Sequence, residues 1–378
     1  MTRVLIAGVS TRGFAESAAR AGYEVLAVDG FGDLDLRACT TAVAVARSGD
    51  RFSTRAALVA AHGLVRDAVC YVASFENYPR AVAALGADSA LWGNSPPVLA
   101  RVRDPVRLAQ VLAARGLATP AVRRTAPRSG LRGRWLVKPR ASGGGSGIVR
   151  WPPRRGTRLP AGSYLQQRVG GVPGSIVFAA DGRRVIPLGV SRALAGEAAF
   201  GASGFRYCGS ILVPPEEPLF GRARQLAAVV TEEFGLVGVN GIDFVSTRGV
   251  PHAIEVNPRY TASMELVERA HDLSVFATHV RACTGALPEF AVERWRGPGV
   301  LGKAVVYARR DVTAGDTRGW LGDPDVRDIP APGERIGRGH PICTIFARGR
   351  DVAACHTALA HRAARLYHDV ERREARTA

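Results

Sequence analysis

Lysine is almost absent from this chain. Of its 51 basic residues only Lys138 and Lys303 are lysines, and the rest are arginines. Where nearly every cation is a planar fork, a retained ammonium points to a place that wants a compact point charge. Other absences narrow the function classes. The six cysteines, Cys39, Cys70, Cys208, Cys283, Cys343 and Cys355, form no CxxC pair, and the eight histidines show no ligand spacing with them. That argues against zinc and for reduced thiols. No apolar run reaches the roughly 20 residues a bilayer requires. The opening MTRVLIAGVS is too short in its apolar run for a signal peptide and reads as a first strand, so a cytoplasmic protein is expected. No arginine block is interleaved with aromatics, which make up 7% of the chain. The net charge of +18 therefore carries no RNA- or DNA-recognition pattern with it. It is open to three readings: a nucleic-acid partner, an anionic substrate, or the base composition of the coding DNA.

What is present is a long globular sequence. Its 378 residues, 47% hydrophobic, exceed one ordinary core and imply two or three domains. Residues 3–9 form a buried-strand run, 12–21 a small-residue helix and 24–29 a second strand ending at Asp29. This is the start of an open parallel sheet. The turn between them, GVSTRG, is neither GxGxxG nor a P-loop. It is read as a structural βαβ unit, with a nucleotide site as the alternative. Segments 55–63, 68–74 and 78–85 continue the alternation. SPPVLARVRDP (95–105) breaks it, and a helix follows over 104–120 with Gly116 and Pro120 at its end. Strands are expected at 134–139, 163–169, 175–180 and 184–190, the last two flanking a turn at Asp181-Gly182. Helices fit 219–234 and 262–284. After Pro298 the texture changes to strands at 302–308 and 341–349, then a helix over 351–373. The expected division is 1–100, 101–290 and a strand-rich 291–378.

Two stretches carry chemistry. In KPRASGGGSGIV, residues 138–149, the run Ser142, Gly143, Gly144, Gly145, Ser146, Gly147 lies between hydrophobic strands. Backbone N–H groups without side chains can converge on an anion, and Lys138 at the strand end can reach a phosphate oxygen. The run therefore reads as a phosphate-covering flap, with a flexible linker as the bland alternative. In GIDFVSTRGVPHAIEVNPRY, residues 241–260, two strands meet at a turn. Pro251 belongs to the connection in this reading, and Ser246 pairs with His252. The same register sets Asp243 opposite Glu255, with Asn257 on the same face. Two carboxylates so placed repel, and a divalent cation relieves them; magnesium takes one or two carboxylates with phosphate oxygens and waters. Arg259 just beyond can place a planar cation by a transferring phosphoryl group.

LVKPRASGGGSGI, YLQQRVGG, GVNGIDFV and IEVNPR occur in an order that resembles the ATP-grasp superfamily over roughly residues 1–290. The resemblance implies an α/β and α+β fold, an ATP-grasp domain behind a Rossmann-like βαβ domain and before a C-terminal β-rich segment. It implies Mg-ATP as the cofactor, with manganese as a substitute ion. Lys138 would contact the α- and β-phosphates under a cover of Ser142–Gly147. Gln166, Gln167 and Val169 would line the adenine; Asp243, Glu255 and Asn257 would hold the metal; Arg259 would steady an acyl phosphate. Small-molecule carboxylate and amine substrates follow, and a homodimer is common in the superfamily. Arg206, in the glycine-rich GASGFRYCG, is the candidate for an acceptor carboxylate, with Arg192 behind it. The sequence departs from the family pattern twice. Glutamines stand where the hinge strand usually has an acid, and Asp104-Pro105 replaces Asp-Lys, leaving Arg103 or Arg107 to supply the cation.

Within the superfamily the chain looks most like predicted carboligases related to biotin carboxylase, a group accompanying tetrahydromethanopterin-linked one-carbon metabolism. ENYP (76–79), FRYCGS (205–210) and GKAVVYA…PICTIFA carry this likeness. The expected activity is an ADP-forming carboxylate–amine ligase. Two alternatives stand beside it: a carboxylase activating bicarbonate, although no Met-Lys-Met marks a biotin carrier, and a basic nucleic-acid-binding protein with a non-catalytic nucleotide fold.

Overall fold

The computed structural model describes residues 1–126, 133–152, 158–216, 218–292, 297 and 299–377. Val4, Leu5, Ile6 and Ala7 are fully buried at the centre of a five-stranded parallel sheet. Its order is Ala42–Val45, Glu24–Asp29, Arg3–Ala7, Ala68–Tyr71, Ala90–Leu91. Helices on both faces explain why these strands are continuously apolar and do not alternate. The first strand, helix and second strand are where the sequence places them, with trimmed ends. Ala42–Val45 escapes a sequence reading because its residues are all small. SPPVLARVRDP is no mere break: it holds the helix Pro96–Val102, whose prolines occupy the first turn, where an N–H would have no helical acceptor. Asp104 then caps Pro105–Ala114, accepting from the Val106 and Arg107 N–H groups at 2.9 and 3.3 Å.

Two main antiparallel sheets, with two minor two-stranded ones, make up the rest among the described residues. The smaller has the order Val149–Arg150, Trp135–Pro139, Ser163–Gln167, Val122–Arg123. The larger runs Val250–Asn257, Val237–Thr247, Val172–Asp181, Val185–Ala195, Tyr207–Val213, Val300–Tyr307, Pro341–Gly349, Val326–Arg327. Strand Val300–Tyr307 bonds directly to Tyr207–Val213, so the residues after 299 extend the central sheet. Pro298, where the texture of the sequence shifts, lies outside the described residues. The helix Leu219–Phe234 packs Phe220, Leu226, Ala227 and Phe234 onto Ile176, Phe178, Ile242 and Phe244. Because strand side chains alternate, Asp243, between two of these core residues, faces the other side of the sheet. The single helix expected over 262–284 is two, Met264–His271 and Val275–Cys283. Asp272 turns left-handed at φ 51°, and the Ser274 side chain starts the second helix by accepting from the Ala277 N–H at 3.2 Å. All six cysteines are free thiols. Among the described residues no helix is long and apolar enough to cross a membrane.

The three regions of chain meet at one guanidinium. Arg12, 2% exposed, donates to both oxygens of Glu265, to Asp328 at 2.9 Å and to Glu16 at 3.1 Å. Lys303 Nζ lies 2.6 Å from Glu265 Oε2. One of the two lysines is thus a structural counter-ion, and a compact ammonium suits the space beside a fork that already holds the carboxylate. Burial works to raise the Glu265 pKa, but Arg12 and then Lys303 outweigh it and hold the carboxyl well below its usual range. Removing that carboxylate takes away the buried partner of Lys303 and one of the partners of Arg12, which keeps Asp328 and Glu16. Glu265→Ala is expected to cost about 3–5 kcal/mol of stability, read as a lower urea midpoint at neutral pH. Removing the exposed Arg350 beside Asp351 is expected to leave the midpoint unchanged.

Candidate active site

Strands Trp135–Pro139 and Ser163–Gln167 pair so that Lys138 lies opposite Tyr164 and Leu136 opposite Gln166. These four share one face, while Trp135, Val137 and Leu165 pack on the other. Lys138 is buried. Its Nζ donates to Gln166 Oε1 at 3.2 Å and to the Ile254 carbonyl at 3.4 Å. Gln166 Nε2 reaches the same carbonyl at 3.1 Å. Both side chains therefore bridge from the small sheet to the edge strand of the large one. The amide oxygen of Gln166 takes the position toward Lys138 that a hinge acid would take. Gln167 is exposed, and its N–H donates to Ala121 at 2.8 Å. Val169 is half-buried beyond the strand end.

The glycine run lies over this cleft. Gly144, Gly145 and Gly147 have φ of 59°, 76° and 72°. A Cβ on Gly145 would stand 1.8 Å from the Phe205 carbonyl oxygen, so only glycine fits there. The Tyr207 N–H donates to Gly144 O at 3.0 Å, and Asn77 Nδ2 to Ser142 O at 3.5 Å. The flap is thus fastened shut on the segment 205–207. The cavity beneath it, bounded by Arg103, Lys138, Ser142, Gly143, Gly145 and Glu255, holds only about 30 Å³, room for a single water. A larger ligand does not fit beneath the flap in this arrangement.

Across the cleft, Asp243 pairs with Glu255 and Gly241 with Asn257. The route to this register differs from the expected one. The hairpin turns at Arg248-Gly249, both at positive φ (51° and 74°), as a two-residue turn requires. His252 then faces Val245, not Ser246, and Pro251 sits within the edge strand opposite Ser246, where a missing N–H is tolerated. A bulge that leaves Ile254 out of the pairing restores Asp243 opposite Glu255. The Ile254 carbonyl is the one that receives Lys138 and Gln166.

The like charges of this pair are relieved partly by the protein itself. Arg103 Nη1 lies 2.6 Å from Glu255 Oε1 and 2.9 Å from the Val256 carbonyl, and Nη2 donates to Asn77 Oδ1 at 2.7 Å. Arg103, one of the two replacements considered for the missing lysine, is therefore in the cleft; Arg107 is exposed. Burial pushes Glu255 up, but Arg103 first and Lys138 second bring its pKa below the usual range. Asp243 goes the other way: burial, reinforced by Glu255, raises it to about 6. Asn257 Nδ2 donates to Asp243 Oδ2 at 2.9 Å, and its Oδ1 accepts from Arg259 at 3.2 Å. Asp243 Oδ1 and Glu255 Oε2 accept no hydrogen bond among the described residues. With the amide oxygen they make an all-oxygen donor set of the kind magnesium takes, so the residues fit the ion. Among the described residues no group of three His, Cys, Asp or Glu side chains stands ready to hold a metal. The ion would rest on this pair and on ligands brought by substrate.

Arg259 is fixed by Glu76, whose Oε1 accepts from Nε at 3.0 Å and Nη2 at 2.8 Å. Glu76 is 1% exposed, and its Oε2 has no partner among the described residues. Arg206 donates to the Gly339 carbonyl and lies 5.1 Å over the Tyr307 ring. Arg192 is corrected as a site residue. Asp243, Ser175 and Ser191 follow one another across the strands, so Arg192, next to Ser191, points to the opposite face. Sequence reasoning missed the rest of that row. Ser175 and Ser191 hydrogen-bond at 2.9 Å, as do Tyr207 and Ser210. Burial first, then the Tyr307 and Asp243 charges, push the Tyr207 phenol up. No spacing in the sequence marks these hydroxyls; strand order alone assembles them.

Residues 102–263 match the family model for the ATP-grasp domain. Among curated proteins no sequence matches. In structure the chain is similar to an L-amino acid ligase from Bacillus licheniformis, with a TM-score of 0.71 and 15% identity over 96% of each chain. It is also similar to N5-carboxyaminoimidazole synthetase from Staphylococcus aureus in complex with ADP, at TM-score 0.69 and 15% identity, covering 96% of this chain and 97% of that one. Rhizobium etli pyruvate carboxylase aligns at TM-score 0.71 and 12% identity over 96% of this chain. The chain spans only 37% of that enzyme's length.

The raised Asp243 pKa has a consequence for stability. The fold favours the neutral acid, so the cost of ionising it is full above about pH 6 and vanishes below about pH 4, where the unfolded carboxyl is also protonated. Asp243→Asn is therefore expected to stabilise the protein in EDTA by about 2 kcal/mol at pH 8 and to leave it unchanged at pH 4. Chemical denaturation at the two pH values measures this.

Proposed function

We propose, from the match of residues 102–263 to the family model for the ATP-grasp domain, that the chain is an ADP-forming ligase that joins a carboxylate to an amine. The observation that carries this reading is the facing of Lys138 and the glycine flap against the Asp243–Glu255 pair across one cleft. The reading treats 1–100 as a Rossmann-like unit, 101–290 as the ATP-grasp unit and 291–378 as a third segment. It places the enzyme in the cytoplasm, as a homodimer, in one-carbon cofactor biosynthesis. That last point rests on the sequence resemblance alone.

In this mechanism the substrate carboxylate oxygen attacks the γ-phosphorus of ATP, ADP leaves, and an acyl phosphate forms. The amine nitrogen then adds to the acyl carbon, phosphate departs, and the nitrogen loses its proton. Lys138 and Arg103 supply positive charge along the phosphate tail, and the flap N–H groups cover it. Magnesium, when held by Asp243, Glu255 and Asn257, would neutralise phosphate charge. Arg259, held by Glu76, would steady the transferring phosphoryl group. Excluding water protects the acyl phosphate, which the tightness of the closed cleft provides. Arg206 remains the candidate for the acceptor's carboxylate from its place on the 339 turn.

An ADP-release screen across amino acids, glutamate included, and aromatic amines, with mass detection of the product, tests the reading. With a substrate found, Glu255→Ala is expected to lower kcat by at least about 10²-fold with an unchanged circular dichroism spectrum. Normal turnover by that variant would remove the metal assignment. Lys138→Ala is expected to weaken ATP binding by about tenfold or more; calorimetry showing unchanged affinity would take Lys138 out of the site.

A further inference from the structure

We propose that the outer surface of the small sheet is a docking site for an acidic protein segment, an inference that does not depend on the ligase reading. From residue 105 to residue 180 the chain contains no aspartate or glutamate, yet it holds thirteen arginines and Lys138. The remaining residues carry 37 basic side chains against all 33 acidic ones. Almost the whole positive excess is thus concentrated in one fifth of the sequence. A drift in coding-DNA composition would enrich arginine everywhere and would not strip carboxylates from a single stretch.

The structure turns this charge outward. Arg107, Arg123, Arg134, Arg140, Arg150 and Arg158 are exposed, and none forms an ion pair among the described residues. Among the described residues the two arginines of the stretch that are paired borrow carboxylates from outside it: Arg115 from Glu232 and Glu233, Arg124 from Asp104. A groove of about 570 Å³ runs between residues 124–126 and 158–163, with Arg124, Arg140 and Arg158 on its walls. The Arg140 N–H donates to Gly162 O at 2.8 Å, and Ser163 pairs with Pro139. The groove therefore lies against the strand pair whose inner face carries Lys138 and Gln166, at the root of the flap. Guanidinium forks match carboxylates two bonds at a time, and uncompensated like charges this close gain from an anionic partner. Nucleic acid fits less well. The aromatic rings of this stretch, Trp135, Tyr164 and Phe178, are buried, and Trp151 is half-buried, so no exposed platform offers base stacking.

The test uses the full chain and a fluorescein-labelled polyglutamate peptide followed by anisotropy. The peptide is expected to bind at about 50 mM salt and to be released at about 0.5 M, where exposed charges are screened. The double variant Arg123→Glu/Arg158→Glu, with an unchanged thermal midpoint, is expected to bind it at least about tenfold more weakly. Three results overturn the proposal: no peptide binding at low salt, binding indifferent to the double reversal, or tighter binding of an oligothymidylate of equal charge.

Discussion

The site depends on holding Asp243 and Glu255 side by side on neighbouring strands with little water between them. Isolated, such a pair is costly. The chain meets the cost asymmetrically. Arg103 takes one carboxylate and lowers its pKa, and burial raises that of the other. The pair is thus poised, not locked: one oxygen of each accepts no hydrogen bond among the described residues, and a further cation would relieve the carboxylate that Arg103 does not reach. Lys138 and Gln166 rest on the carbonyl between the two acids in sequence, so the small sheet bears on the same few atoms as the metal-ligand candidates do.

That convergence traces to a single unpaired residue. A regular hairpin from the Arg248-Gly249 turn would place Asp243 opposite Ile254. Leaving Ile254 out of the ladder swings Glu255 into register and turns a carbonyl toward the lid. The sequence shows the two acids and their spacing, and the conclusion drawn from it about Asp243 and Glu255 holds. It does so through two compensating differences, a shorter turn and a bulge, which no spacing rule reveals. Pro251 illustrates why: it reads as a breaker, but on an edge strand its missing N–H points away from the ladder.

Local signals served well where one element decides its own structure. The helix at 219–234, the Asp181-Gly182 hairpin and the opening βαβ unit are all legible, because periodicity and turn chemistry suffice. Properties that depend on strand order were hidden. The hydroxyl row of Ser175 and Ser191, the facing direction of Arg192 and the fusion of residues 300–349 into the central sheet all need the arrangement β-strand by β-strand. Lys303 is instructive in another way. Its rarity as a lysine marks it as special, but its partner is a buried glutamate and not a ligand.

The arrangement around Arg12 has a mechanical outcome. One guanidinium ties together the first helix, the helix after Arg259 and the C-terminal loop at Asp328, and Lys303 adds the neighbouring strand. Those parts behave as a single anvil, unable to hinge against one another without tearing open a saline knot in the interior. Any opening of the cleft that spares this knot would have to be a travel of the arginine-rich leaf over an unyielding bed.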